Sequence, residues 1–152
     1  MGTSAKMTNI PLQQVKIHDA FWSKYIQLIR EVVLPYQWEA LNDRVPDAAP
    51  SHAVKNFRVA AGLEPGEFYG FVFQDSDLAK WLETVGYCLA VCPDPELERI
   101  ADEMIAIIAR AQQPDGYLNT YYTIKEPGKR WTNLREGHEL YTAGHFIEAA
   151  VA

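Results

Sequence analysis

Cysteine is almost missing. The chain has two in 152 residues, Cys88 and Cys92, four positions apart in an apolar run. Two thiols at that spacing on one helix are badly placed for a disulfide. This excludes a disulfide-stapled secreted scaffold and fits a reducing compartment. Long apolar runs are lacking too. The start, MGTSAKMTNIPLQQ, has no uninterrupted apolar core of the kind a secretory signal needs, and no stretch approaches the roughly 18 apolar residues of a membrane span. The expectation is a soluble, cytoplasmic protein with no membrane partner. Basic residues are in the minority, 14 Lys and Arg against 20 Asp and Glu, for a net charge of −6. The acids are spread along the chain rather than gathered in a tail, which argues against a phosphate-seeking surface and so against nucleic acid as a partner. There is no glycine-rich phosphate loop and no Gly-x-Ser-x-Gly elbow, so nucleotide binding and serine hydrolase chemistry find no support. Residues 2 to 6, small and polar ahead of a second methionine, are either a foreign remnant or a native terminus.

What is present suffices for a core. At 48% hydrophobic and 12% aromatic residues, the length is that of one ordinary domain. Asp19 is placed to cap a helix beginning AFWSKYIQLIREVVL, in which Phe21, Tyr25, Leu28, Ile29 and Val32 recur at helical spacing; Pro35 ends or bends it, with two more turns in YQWEALND. Ser51 is placed to cap HAVKNFRVAA, which Gly62 closes as a left-handed terminus. GLEPGEFYGFVF reads as an ordered loop or a short strand. Asp75 or Ser76 then caps a helix whose stripe is Leu78, Trp81, Leu82, Val85 and Leu89. After a very short turn, Asp94 caps a partner helix with Pro95 at its first position and Leu97, Ile100, Met104, Ile107 and Ile108 inside. PDGYLNTYYTIKEPGKRWTNL is a long, aromatic-rich connection, a length that in compact folds tends to carry function.

The last helix begins near Arg135, with Leu140, Ala143, Gly144, Ile147, Ala150 and Val151 as its apolar set. It ends in AAVA, with no glycine, asparagine, proline or basic residue to terminate it, and the expectation is that the natural chain continues beyond an N-terminal piece. No βαβ alternation is present, so the fold class is all-α. Helices joined alternately by tight turns and long loops are what a toroid of helical hairpins gives, with the long loops at one rim; a closed ring needs more hairpins than this chain holds. A piece of such a ring exposes apolar surface, so self-association or a homo-oligomer is expected if it stands alone.

Two groups of residues carry candidate chemistry. His138, Tyr141, Thr142 and His145 fall at i, i+3, i+4 and i+7, a polar-aromatic strip beside the apolar one that suits a cavity wall. From spacing alone, His145 also reads as a satisfied core histidine and His138 as a first-turn surface residue. Seven residues of helix separate the two rings by roughly 10 Å, so they do not form a metal site by themselves. FQDSD, Phe73 to Asp77, sets Gln74, Asp75, Ser76 and Asp77 at a helix start. Capping and dipole contacts explain it; the alternative is hydrogen bonding to a hydroxyl-rich ligand, with Tyr69, Phe71, Tyr117, Tyr121, Tyr122 and Trp131 supplying aromatic faces nearby. Cys88 and Cys92 read as core packing rather than metal ligands, since no third or fourth ligand lies near them in sequence.

The blocks PYQWEALND, SHAVKNF, FVFQDSDLAKWLE, AQQPDGYLNT and GHELYTAGHFIEAAVA, in that order, resemble the N-terminal part of the β-L-arabinofuranosidases of glycoside hydrolase family 127, and the resemblance runs from about Ile17 to Ala152. It implies residues 1–16 as an N-terminal arm and 17–152 as the first part of an (α/α)6 catalytic barrel, cut short at its C-terminal end. It also implies zinc in the complete enzyme, with a cysteine nucleophile held by three cysteines and a glutamate, a second glutamate as acid/base, and retention at the anomeric carbon. In the family those residues come well beyond this chain's last one. Cys88 and Cys92 do not match them, so neither catalytic nor metal-binding residues are expected here. The expected substrate is an arabinose-containing oligosaccharide, and the expected partner is the rest of the barrel. What carries over is substrate binding: His138, in the HELY block, matches a histidine that hydrogen-bonds the arabinose, and Asp75, Gln74, His52 and His145 are further candidates from the matching blocks. A glutamine that helps bind the sugar in some members precedes the SHAVKNF block, where this chain has VPDAAP and no glutamine. Two other readings stand beside this one: a non-catalytic helical carbohydrate-binding or scaffold module, and an (α/α)6 enzyme acting on uronides, whose substrates call for more basic loops.

Overall fold

The computed structural model describes residues 9–152. Among them every helix or strand assignment is helical: α1 (Trp22–Leu28), α2 (Leu34–Leu41), α3 (Ala53–Ala60), α4 (Asp75–Val91), α5 (Pro95–Ala111), α6 (Thr120–Ile124) and α7 (Glu139–Val151), with short 3-10 turns at Leu12–Gln14 and Pro127–Lys129. The all-α expectation holds, and GLEPGEFYGFVF is an ordered loop rather than a strand.

Local chemistry sets most of the boundaries. Asp19 Oδ1 accepts from the amides of Phe21 and Trp22 at 2.9 and 2.6 Å, and Asp94 Oδ1 from those of Glu96 and Leu97 at 3.2 and 3.1 Å. Gly62 follows α3 at φ 66°, the left-handed terminus its position predicts. Pro35 neither ends nor breaks its helix. A five-residue π stretch, Ile29–Val33, joins α1 to α2, and the Leu34 amide reaches back to the Ile29 carbonyl, so the proline falls in the first turn of α2 where its missing N–H costs least.

Three starts differ from expectation. Ser51 does not cap α3; Asp43 Oδ1, eight and nine residues away in sequence, accepts from the amides of Ser51 and His52 at 2.6 and 2.8 Å. Neither Asp75 nor Ser76 caps α4, because both lie inside its first turn and the Asp75 carboxylate is engaged elsewhere. The last helix begins at Glu139 rather than near Arg135, with His138 as the flanking residue.

The core is built around α4, whose predicted stripe is buried at Leu78, Trp81, Leu82 and Val85 and partly buried at Leu89; it packs with Leu34 and Leu41 of α2, Val54 and Phe57 of α3, and Ala101 and Met104 of α5. Trp81 stacks on Trp38 at 4.6 Å, and its Nε1–H donates to the Leu34 carbonyl at 3.1 Å, which gives the buried indole its polar partner. The three-residue connection Cys92–Asp94 folds α5 back beside α4. Helix α7 runs alongside α4 in the same direction, since Phe73 meets His138 at one end and Gly86 meets Ala152 at the other. A Cβ at Gly86 would lie 2.8 Å from the Ala152 carbonyl carbon, so this approach requires glycine.

The outermost helices depart from their predicted packing. On and beside α1, Phe21, Tyr25, Leu28, Ile29 and Val32 are exposed, and on α7 so are Leu140, Ile147 and Val151, the last at 80%. The α7 face that meets the core carries Thr142, Phe146 and Ala149 instead. Periodicity finds an apolar stripe but not its partner, and among the described residues these two stripes, on the first and last long helices, have none.

Candidate functional site

The starts of α4 and α7 lie together at one end of the molecule, beside the loops that precede them. The first loop is pinned by Asn56, fully buried on α3: its Nδ2 donates to the Tyr69 carbonyl at 2.8 Å and its Oδ1 accepts from the Tyr69 amide at 3.2 Å. The next residue, Gly70, has φ 102°, and a Cβ there would sit 2.6 Å from Gln74 Oε1. Gln74 fastens the turn. Its Oε1 accepts from the Phe71 amide at 3.2 Å, and its Nε2 lies 3.2 Å from Ser51 Oγ and 3.1 Å from Asp77 Oδ2 as donor to both.

This turn presents Phe71 and Phe73 stacked face to face at 5.3 Å. His138 stands against Phe73 edge-on at 5.1 Å and against Tyr141 at 5.9 Å. Its backbone is left-handed, φ 50° and ψ 21°, uncommon for a residue other than glycine, and its carbonyl accepts the amide of Thr142 at 2.9 Å to start α7. Tyr141 meets the His145 ring at 4.6 Å. Lys80 closes the strip from α4, its Nζ donating to Tyr141 Oη at 2.9 Å and to Ser76 Oγ at 3.3 Å, with Asp77 Oδ1 4.0 Å away. Hydrogen bonding from Lys80 draws the Tyr141 hydroxyl below its ordinary range, while burial raises Asp77 and the nearby ammonium partly offsets that.

Of the five expected site residues, the structure brings His138, His145 and Gln74 to this strip or its edge. His138 is half-buried among aromatics rather than a first-turn surface residue. His145 is not a satisfied core histidine: its Nδ1 lies 3.0 Å from Glu148 Oε2 but out of hydrogen-bond alignment. His52 belongs to a neighbouring set. Also left-handed, it packs on Tyr69 at 4.5 Å with its Nδ1 2.9 Å from Asp43 Oδ2, and it adjoins the strip through Tyr69 and through Ser51, which Gln74 contacts.

Asp75, the fifth expected residue, is held in the interior. It is 1% exposed, its Oδ2 accepts the Thr120 amide at 2.6 Å and its Oδ1 accepts the Thr120 hydroxyl, so it fixes α6 to α4 from the interior. Burial pushes it up to about 6 against the downward pull of those two bonds. Sequence reasoning missed Lys80 and Glu139. Lys80 was legible as i+4 from Ser76 and i+3 from Asp77, on the same face as both.

A strip of aromatic faces interleaved with imidazoles, a phenol, an ammonium and a carboxylate suits a ligand with apolar faces and many hydroxyls. It does not suit a metal. Among the described residues no group of three or more His, Cys, Asp or Glu side chains could hold an ion, and Cys88 and Cys92 are free thiols at the far end of α4, Cys88 pushed up by burial. The residues present therefore do not fit the zinc that the family resemblance implies.

The chain is 46% identical, over 91% of its length, to the non-reducing end β-L-arabinofuranosidase of Bifidobacterium longum subsp. longum, of which it covers 23%. It superposes on a GH127 β-L-arabinofuranosidase from Geobacillus stearothermophilus T6 with a TM-score of 0.90 at 69% identity, covering 91% of this chain and 22% of that one. A second solved GH127 β-arabinofuranosidase matches with a TM-score of 0.80 at 36% identity, over 93% of this chain and 23% of its own. The chain thus spans under a quarter of these relatives. The family model for the β-L-arabinofuranosidase GH127 catalytic domain matches residues 14–152, and the chain belongs to that family.

Proposed function

We propose that this chain forms part of the sugar-binding wall of a zinc-dependent, retaining β-L-arabinofuranosidase, with an arabinose-containing oligosaccharide as substrate, and that the bond-breaking groups come from the remainder of the barrel. The observation that carries the reading is His138, held half-buried between Phe73 and Tyr141 at the start of α7. Its ring nitrogens are suited to a sugar hydroxyl, and the flanking aromatic faces to the C–H side of the same ring. The two exposed apolar stripes, on α1 and α7, support an incomplete ring whose edges pack against further helices of the barrel. The histidine, phenol and ammonium bind and orient the sugar; zinc, if held by the remainder of the barrel, would keep a thiolate available as nucleophile. A cytoplasmic location belongs to the same reading.

The complete enzyme is assembled by joining this chain to the complementary remainder of the Geobacillus stearothermophilus relative. Hydrolysis of 4-nitrophenyl β-L-arabinofuranoside by the joined protein and not by the 152-residue chain supports the assignment. Turnover by the short chain alone contradicts it, and sugar binding by a short chain whose joined form stays inactive favours a non-catalytic carbohydrate-binding module. In the joined protein His138→Ala should lower kcat/KM by roughly 100-fold, the scale of one well-aligned charged or polar contact made in a water-poor site.

A further inference from the structure

We propose that Glu139 is a positioning residue, a buried carboxylate that holds His138 and Trp131 together in their left-handed backbone conformations; the proposal rests on the sugar-binding reading of His138. Glu139 is 3% exposed. Its Oε1 accepts the hydroxyl of Tyr117, and its Oε2 accepts the backbone amide of Trp131 at 2.8 Å. No lysine or arginine among the described residues bridges it: Arg135, four residues before it, pairs with Glu136 at 3.1 Å, and Arg130 lies over the Tyr117 ring at 4.1 Å and beside Asp115 at 3.5 Å. A carboxylate taken out of water with only neutral donors is an expensive way to hold two segments together, and apolar packing of the same volume does so at lower cost. The dipole of α7 favours an acid in its first turn, but a solvent-exposed acid collects that benefit too.

What the arrangement achieves is placement. Trp131 has φ 62° and His138 has φ 50°, and both are bulky residues in a conformation that costs free energy and persists only where its surroundings impose it. Glu139 is bonded to the amide of the first and is the chain neighbour of the second. One side chain therefore ties the aromatic-rich loop, whose Trp131 ring stands edge-on to Tyr117 at 5.3 Å with half its surface exposed, to the residue that starts α7. The Tyr117 hydroxyl stays protonated well above the ordinary tyrosine range, first through burial and then through its bond to Glu139, so it remains a donor.

The test is a double-mutant cycle in the joined enzyme, read as kcat/KM on 4-nitrophenyl β-L-arabinofuranoside. Glu139→Gln preserves volume but leaves one oxygen to accept where two accepted before. It should lower kcat/KM by about 10-fold, and Tyr117→Phe by about 3-fold. In a His138→Ala background neither substitution should cost more than about 2-fold, because a residue that acts through His138 has nothing left to position. Full additive losses in that background, or undiminished activity in both single variants, overturn the proposal. Should Glu139→Gln not fold, the Tyr117→Phe arm of the cycle decides. An undiminished His138→Ala enzyme instead overturns the sugar-binding reading on which the proposal stands.

Discussion

Replacing Thr120 with valine keeps the side-chain shape and removes one donor from a carboxylate without access to water. Asp75 is 1% exposed; in T120V its Oδ1 loses the Thr120 hydroxyl while Oδ2 keeps the Thr120 amide at 2.6 Å. A hydrogen bond to a buried charged group is worth about 1.5–3 kcal/mol, so T120V should destabilise the fold by about 2 kcal/mol near pH 7.5, where Asp75 is ionised. The pH dependence follows from its protonation. Burial raises Asp75 from 3.8 to about 6, so the folded chain holds this proton more tightly than the unfolded one. Its contribution to stability is full below the unfolded value and is lost as pH rises through about 6, at about 1.4 kcal/mol per pH unit inside the window. T120V removes a bond that favours the charged form, which raises Asp75 further. The penalty should therefore shrink to about 1 kcal/mol near pH 5, the range of a hydrogen bond between neutral groups. Urea unfolding followed by tryptophan fluorescence at both pH values measures the difference, provided the slopes agree. A cost under about 0.5 kcal/mol near pH 7.5, or the same cost at both pH values, refutes the reasoning.

Asn56→Ala removes both bonds that pin Tyr69, and should cost about 2 kcal/mol and loosen the loop that carries Phe71, read as faster amide exchange in residues 63–73. Lys80→Met removes the donor that draws the Tyr141 hydroxyl down, so ultraviolet titration should show that phenol ionising at higher pH than in the unaltered chain; an unshifted curve separates Lys80 from Tyr141.

The helices of the middle of the chain were legible because local signals and tertiary packing agree there. The Asp94 cap, Pro95 and the stripes of α4 and α5 each point to the structure found. The departures arise where a distant group wins a local contest. Asp43 fixes the start of α3 through the amides of Ser51 and His52 in place of a Ser51 cap, and Thr120 takes the carboxylate expected to cap α4 or face a ligand. Neither partner is within reach of any spacing rule. The α1 and α7 stripes were found as periodicity but assigned to a core that the described residues do not provide. At the site, the HELY block and its neighbouring aromatics located His138 and Tyr141. Glu139 gave no sign that it would be buried, because its partners, Tyr117 and the Trp131 amide, come from a loop whose path sequence does not specify.

The central claim is that the strip running from Phe73 through His138 to Tyr141 faces a sugar. A crystal structure of the joined enzyme with L-arabinose tests it most directly. The account predicts a sugar hydroxyl within hydrogen-bonding distance of a His138 ring nitrogen, with an aromatic ring of the strip against the sugar's C–H face. A sugar bound elsewhere, with His138 turned to solvent, contradicts it.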